Sequence, residues 1–476
     1  MGKAIFNSYN GIQVNYCVST ECENFGKGDS EYYREVINNY DMQIYFCPKC
    51  GSYPQIINNR LIFEATKYQE QVHEIKIISC TNVRCLNHKH AVHSYREKYN
   101  AFGKTRTLKQ RYQCKECGNI FTDKFSGINS FIEIQSGLFY GMKYFSGIRA
   151  LCESENIYPK SFYKHQKEMV ERLRYLAYIK EESFYKKTDR CLVVTDYCFI
   201  GDTLGTILIA SVHNETGYII GFDTNLSKDM DKSCFFNIKQ KNKPINNAIK
   251  DNLALNILTG YEEIMSRSNY LDPTSNDLRG TPTFINLSQP YLCSFAHALR
   301  IHKKLSNKLN RYYFTSQDTM LRNSFINASL NELINGEDQL FYYKEGNKNI
   351  EGFSSSTFSI RRIGWWKDKW GFVSDGRMTK ASCHIKGNNL TNDKWSQLTL
   401  DCSLDDVTRY LQLSSIFISK LIPTVHHQSV NDWLNIFTIY YNYCIPNKDG
   451  KTPAQLMGFF DRPMGLSELL SGKYYK

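Results

Sequence analysis

Apolar residues in this chain fall into short runs separated by polar breaks. Residues 191–200 read CLVVTDYCFI, and TLGTILIASV and YIIGFDT follow closely. Three such runs joined by tight connections, one of them HNETG, predict an antiparallel meander. Helical spacing governs IRALCESEN (148–156) and SFYKHQKEMVERLRYLAY (161–178), where Met169, Leu173 and Leu176 continue one apolar face. Between these two, Pro159 breaks the chain and Ser161 is the expected N-cap. Residues 290–308 predict a further helix, Tyr312 to Thr315 a strand, and Asp318 precedes another helical run. The stretch 225–290 is polar and Asn-rich. Residues 341–397 read as a strand-rich insertion. Its Trp365, Trp366 and Trp370, preceded by Arg361 and Arg362, are expected to close a small core, with stacking on unpaired bases as the alternative. In the tail, WLNIFTIYYNY predicts a helix, after which Thr452 caps a second one beginning at Pro453.

The 476 residues are 42 % hydrophobic and 14 % aromatic, ample for large cores, and the length calls for more than one domain. A formal charge of +12 favours a polyanionic partner without proving one. There is no apolar run of the roughly eighteen residues that a membrane span needs. MGKAIFNSYNG lacks the apolar core of a signal peptide. The expectation is a cytoplasmic protein with reduced thiols and no membrane contact.

Half of the 16 cysteines lie between positions 17 and 117, in two copies of one pattern. The first copy is Cys17-x4-Cys22 followed by Glu-Asn, then Tyr-Phe-Cys47-x2-Cys50-Gly. The second is Cys80-x4-Cys85 followed by Leu-Asn, then Tyr-Gln-Cys114-x2-Cys117-Gly. Four thiolates suit a closed tetrahedral zinc site, and the Gly after each Cys-x2-Cys permits a turn that a larger residue would strain. The expected ligand sets are Cys17, Cys22, Cys47 and Cys50 for one Zn²⁺ and Cys80, Cys85, Cys114 and Cys117 for the other. His88, His90 or His93 could replace a cysteine in the second set; redox pairs or disulfides are further alternatives. Beside the second copy, Lys104, Arg106, Lys109, Arg111, Lys115 and Lys124 face only Glu116 and Asp123 in the window 101–130, with Tyr112 and Phe121 interleaved. Such a surface could read a phosphate backbone, or be an ordinary solvated face. The two helices around Pro159 have the form of a helix-turn-helix, with Lys164, His165 and Lys167 as phosphate-facing candidates.

Asp196 is the anomaly of the first apolar strand, because a carboxylate there is costly unless paired or metal-bound. Asp318 would stand at the end of another strand. Two such carboxylates can hold a pair of Mg²⁺ ions roughly 3.5–4 Å apart.

Three stretches carry a family resemblance: RYQCKECGNIFTD (111–123), VVTDYCFIG (193–201) and WLNIFTIYYNYCIPNKDGKTPAQLMGF (433–459), the last with Tyr441, Asn442, Lys451, Thr452, Pro453 and Ala454. On these the chain resembles bacterial insertion-sequence transposases of the acidic-triad (DDE or DDD), ribonuclease-H-like class. The resemblance implies a nucleoid-associated bacterial protein that binds double-stranded DNA at element ends, cuts it and joins 3′ ends to target DNA. It also implies Mg²⁺ or Mn²⁺ and a homo-oligomer on DNA. Asp196 and Asp318 would be two of the catalytic acids. The third is open: Asp401, Asp405 and Asp406 lie before the tail, Asp406 being preferred, while His426 or His427 would break the triad and Glu345 or Glu351 are alternatives. The expected fold is a multidomain α+β chain. It has a first zinc ribbon-like module (1–72), a second (73–127), a helix-turn-helix-like DNA-binding region (128–185), a ribonuclease-H-like α/β core with a strand-rich insertion (186–430) and a C-terminal helical tail (431–476). A transposase-derived DNA-binding protein without catalysis, or a zinc-stabilised protein scaffold, are the competing functions.

Overall fold

The computed structural model describes residues 7–37, 43–54, 56–144, 147–185, 190–200, 206–226, 252–267, 270–271, 273, 288–306, 310–347, 358–364, 368–374, 378–421 and 427–471. In chain order come strands β1 (Arg34–Ile37) and β2 (Gln43–Phe46), helix α1 (Asn59–Val72), strands β3 (Tyr99–Lys104), β4 (Gln110–Cys114) and β5 (Ile120–Thr122), and helices α2 (Ile132–Tyr144), α3 (Ile148–Ser154) and α4 (Pro159–Tyr185). The meander β6 (Arg190–Ile200), β7 (Thr206–His213) and β8 (Tyr218–Thr224) leads to α5 (Leu253–Met265), α6 (Pro290–Lys304), β9 (Asn310–Thr315), α7 (Thr319–Ala328), α8 (Leu330–Asn335) and β10 (Asp338–Asn347). Strands β11 (Ser359–Ile363), β12 (Asp368–Ser374) and β13 (Met378–Lys386) follow. The chain closes with α9 (Asn392–Asp401), α10 (Asp405–Leu421), α11 (His427–Cys444), α12 (Pro453–Leu456) and α13 (Leu466–Leu470).

These elements form two compact units, one of residues 1–71 with 188–415, the other of 72–187 with 416–476. Among the described residues the first unit is built on an eight-stranded mixed sheet of order β11-β12-β13-β10-β9-β6-β7-β8. Within it β6, β9 and β10 run parallel to one another, whereas β7 is antiparallel to both β6 and β8. Every residue of β7 and β8 is buried, which is why their sequences read as continuous apolar runs rather than alternating ones. Side chains reach the backbone of β8: Arg300 and Lys304 of α6 donate to the Phe222 and Ile220 carbonyls, and Gln69 to that of Thr224. Strands β11, β12 and β13 fall within residues 341–397, the stretch expected to be strand-rich. Trp370 is fully buried there, stacks on Tyr342 with ring centroids 6.3 Å apart and donates its indole N–H to Tyr261. It therefore serves the core rather than base stacking, while Trp365 and Trp366 lie outside the described residues.

The second unit combines the three-stranded sheet β3-β4-β5 with α2, α3, α4 and the C-terminal helices. Helix α4 begins two residues before the expected cap. Pro159 takes the first helical position, where its missing N–H costs nothing, and the N–H groups of Ser161 and Phe162 reach the Tyr158 carbonyl. Ser161 is thus inside the first turn. Phe162, Phe139 and Trp433 pack together, joining α4 and α2 to α11. In the tail the Thr452 side chain caps the Gln455 N–H and Gln455 reciprocates, a capping box around Pro453. Among the described residues no helix is long and apolar enough to cross a membrane.

Candidate metal centres and acid pair

Two four-cysteine clusters assemble as the spacing requires: Cys17, Cys22, Cys47 and Cys50 in the first unit, Cys80, Cys85, Cys114 and Cys117 in the second, each with its sulfurs within 4.8 Å of one another. Measured pairs are Cys17–Cys50 at 3.5 Å and Cys22–Cys47 at 3.7 Å, then Cys80–Cys117 at 3.4 Å and Cys85–Cys114 at 3.7 Å. Zn–S bonds of about 2.3 Å in a tetrahedron put sulfurs roughly 3.8 Å apart, so both sets can chelate zinc with little movement. These separations exclude disulfides, which need about 2.05 Å. The histidines are not ligands: His88 hydrogen-bonds the Cys80 carbonyl, His90 contacts Asn87, and His93 pairs with Glu182.

The repeat extends beyond the ligands. Gly51 and Gly118, at φ +76° and +69°, send their N–H groups back to the Cys47 and Cys114 carbonyls. The Asn two residues after each second cysteine donates its amide to a sulfur of the other knuckle, Asn24 to Cys47 and Asn87 to Cys114. Donors aimed at a sulfur favour the thiolate, but burial wins at Cys17, Cys22, Cys80 and Cys85, whose thiols are raised. Cys114 is brought down to about 6, burial being outweighed by Asn87 and the N–H groups of Cys117 and Glu116. Cys50 comes down to about 7 against burial, through Ser52.

The basic residues beside the second cluster occupy the β3–β4 hairpin and its flanks. Lys104, Arg106, Lys115 and Lys124 are exposed; Lys109 and Arg111 are partly so, the latter stacked 5.3 Å over the exposed Phe102 ring. On α4, Lys164 and Lys167 are exposed, but His165 is buried against Phe131 and faces no phosphate. Helices α3 and α4 are joined through Glu155–Tyr158, with Asn156 at φ +51°.

The acids behave differently from the cysteines. Asp196 sits in β6, one residue beyond the Thr195–Thr315 register with parallel β9, and Asp318 caps α7 just past β9. The two stand near each other. Burial raises the Asp196 carboxyl, opposed by Ser316, the Tyr197 N–H and Lys344, with the Asp318 charge adding to the rise. Both oxygens of Asp318 are already engaged. One accepts the Met320 N–H at 2.8 Å; the other accepts the Tyr197 hydroxyl at 2.8 Å and the Arg267 guanidinium at 2.7 Å. Asp406 is elsewhere. Its carboxyl lies against Gly217 in the β7–β8 turn, where an added Cβ would come within 2.8 Å of it. That turn is bonded to Leu192, four residues and roughly 13 Å of strand before Asp196. Asp406 is thus not brought to the pair. Asp401 is exposed and pairs with Arg190. Glu345 is held beside the Tyr343 hydroxyl and near Asp405, its carboxyl raised by burial. Glu351 and His426 lie outside the described residues. Among the described residues no third acid converges on Asp196 and Asp318 as the sulfurs do.

Two features had no distinct sequence signal. Arg267 lies in the Asn-rich stretch and only the folded chain shows its partner. A buried chain also runs from Thr195 to Ser211 (2.6 Å), Ser211 to His297 (2.8 Å), His297 to Asp223 (2.6 Å) and Arg300 to Asp223 (2.8 Å). Its Ser, His and Asp are fully buried, so it braces β6, β7 and β8 to α6 instead of presenting a nucleophile. Asp223 could have been flagged as Asp196 was, as a carboxylate in an apolar strand. No protein-family model matches the chain, and no curated protein matches it.

Proposed function

We propose that the chain is a DNA transposase of the ribonuclease-H-like class, with a Zn²⁺ ion in each cysteine cluster. The observation that carries this reading is the strand order β8-β7-β6-β9-β10, with β7 alone antiparallel to the strands around it and with Asp196 and Asp318 at neighbouring positions on β6 and after β9. A ribonuclease-H-like sheet is expected to place its first two acids in that way. Lys104, Arg106, Lys109 and Arg111, together with Lys164 and Lys167, supply contacts to the phosphates of element ends, and copies of the chain assemble on that DNA.

Mg²⁺ or Mn²⁺ is the cofactor this reading calls for, and the acids as arranged do not fit it. Asp318 has both oxygens committed to protein donors, and among the described residues no third acid joins the pair. That pairing favours a second reading, a transposase-derived protein that binds DNA without cutting it. Incubating the purified protein with the DNA flanking its own coding sequence, in Mg²⁺ or Mn²⁺, separates the two. Nicking at the ends and joining to a target is the expected result. End-specific binding with no cleavage in either metal overturns the enzymatic reading and leaves the second.

A further inference from the structure

We propose that Arg267 is a latch that withholds Asp318 from divalent cations while the protein is free of DNA; the inference rests on the acid pair being the metal site of the proposed transposase. The guanidinium donates to Asp318 from one nitrogen at 2.7 Å and to the Tyr270 carbonyl from the other at 3.4 Å. Its position is built rather than incidental. Arg267 lies two residues beyond the end of α5, whose apolar face is buried at Leu253, Ile257, Tyr261 and Ile264, and Leu271 a little further on is buried in one cluster with Leu292 and Phe295. Thr319, beside Asp318, donates to the same Tyr270 carbonyl. The segment is therefore fastened on both sides of the arginine.

A carboxylate oxygen that accepts from a guanidinium and a phenol cannot also coordinate a dication beside that fixed positive charge. Cation and arginine compete for one acid. The arginine side chain is 14 % exposed, so it can leave by changing rotamer while the backbone stays fastened. A phosphate oxygen is the natural acceptor for it once it leaves, because guanidinium and phosphate match as a two-bond pair. The device would keep a DNA-cutting centre from loading metal before DNA arrives.

The test is a Mn²⁺ titration of the zinc-loaded, full-length protein without DNA, read from the spin-resonance signal of free Mn²⁺, with Asp318→Asn as the blank. A latch closed in roughly nine molecules of ten lowers apparent affinity about tenfold, so Arg267→Gln is expected to bind Mn²⁺ about tenfold more tightly than the unaltered chain, or more. Arg267→Lys, which keeps the charge but loses the fork, is expected between the two and carries the test if Arg267→Gln does not fold. Equal affinity in the unaltered and altered chains, lost in Asp318→Asn, overturns the latch and leaves the metal site standing. If no chain shows binding that depends on Asp318, the metal reading of the pair fails, and the latch falls with it.

Discussion

The two cysteine modules share ligands, sulfur spacing, the glycine turn and the asparagine-to-sulfur hydrogen bond, yet their surfaces are opposite. From Cys17 to Cys50 there are three Lys and Arg against six Asp and Glu; from Cys80 to Cys117 there are nine against two. The first module is tied into the sheet unit. Arg322 of α7 donates to the Val18 carbonyl, Asn327 to that of Gln13, Lys386 of β13 to that of Thr20, and Leu330 fills the space beside Gly26. The second rests on α4 through Arg172 to the Phe125 carbonyl and through Lys76 and Lys124 to Glu171, leaving its β3–β4 hairpin exposed. A metal-held knuckle obtains its folding energy locally, so the rest of its surface is free to become either a brace or a binding face.

The sharpest way to break this comparison is to remove a ligand from each. Structural zinc contributes about 10–16 kcal/mol in small modules, so either Cys47→Ser or Cys114→Ser should lose one metal ion and unfold its own module. Elemental analysis should show the zinc content halved in each. The calorimetric transition of the sheet unit should drop in Cys47→Ser only. A shared loss in both would mean that the modules are not separate braces. Next in size, Asn24→Ala and Asn87→Ala remove the donor to a sulfur. Zinc affinity should fall by about 10–100-fold in each, as read by competition with a chelator, because such outer contacts orient the ligands. Arg322→Met tests the tie of the first module and should lower the stability of the sheet unit by about 1–3 kcal/mol in urea, without zinc loss. The smallest effect belongs to Glu171→Gln. Its lysine partners are nearly half exposed, so the second unit should lose only about 1 kcal/mol or less.

Much of the metal chemistry is legible in the chain, because it is local. The cysteine spacing, the following Gly and the repeated Asn sit within a few residues of each other, and the Thr452–Pro453 cap is equally local. The meander β6–β8 is legible from its apolar runs. Helices α1, α2 and α5 are not: α1 has a strongly polar composition (NRLIFEATKYQEQV), and α2 and α5 adjoin Gly- and Asn-rich text that reads as loop. Asp196 and Asp318 can be picked out as strand and strand-end carboxylates, but their neutralising partners cannot. Arg267 is 51 residues from Asp318, and Tyr197 is 121, so only tertiary packing selects them. Asp406 shows the converse. It stands in the first turn of α10, yet the side chain turns to Gly217, which no local pattern announces.

The division of labour between the modules is tested most directly by the salt dependence of duplex DNA binding. Lys104, Arg106, Lys109 and Arg111 are replaced together by Gln, and in a separate variant Glu21, Glu23, Asp29 and Glu31 of the first module are replaced by Gln or Asn. If the β3–β4 hairpin carries the phosphate contacts, the slope of log affinity against log salt becomes shallower by about three to four in the hairpin variant. The first-module variant should keep the slope of the unaltered chain. An unchanged slope in the hairpin variant, with zinc content intact, would contradict the account.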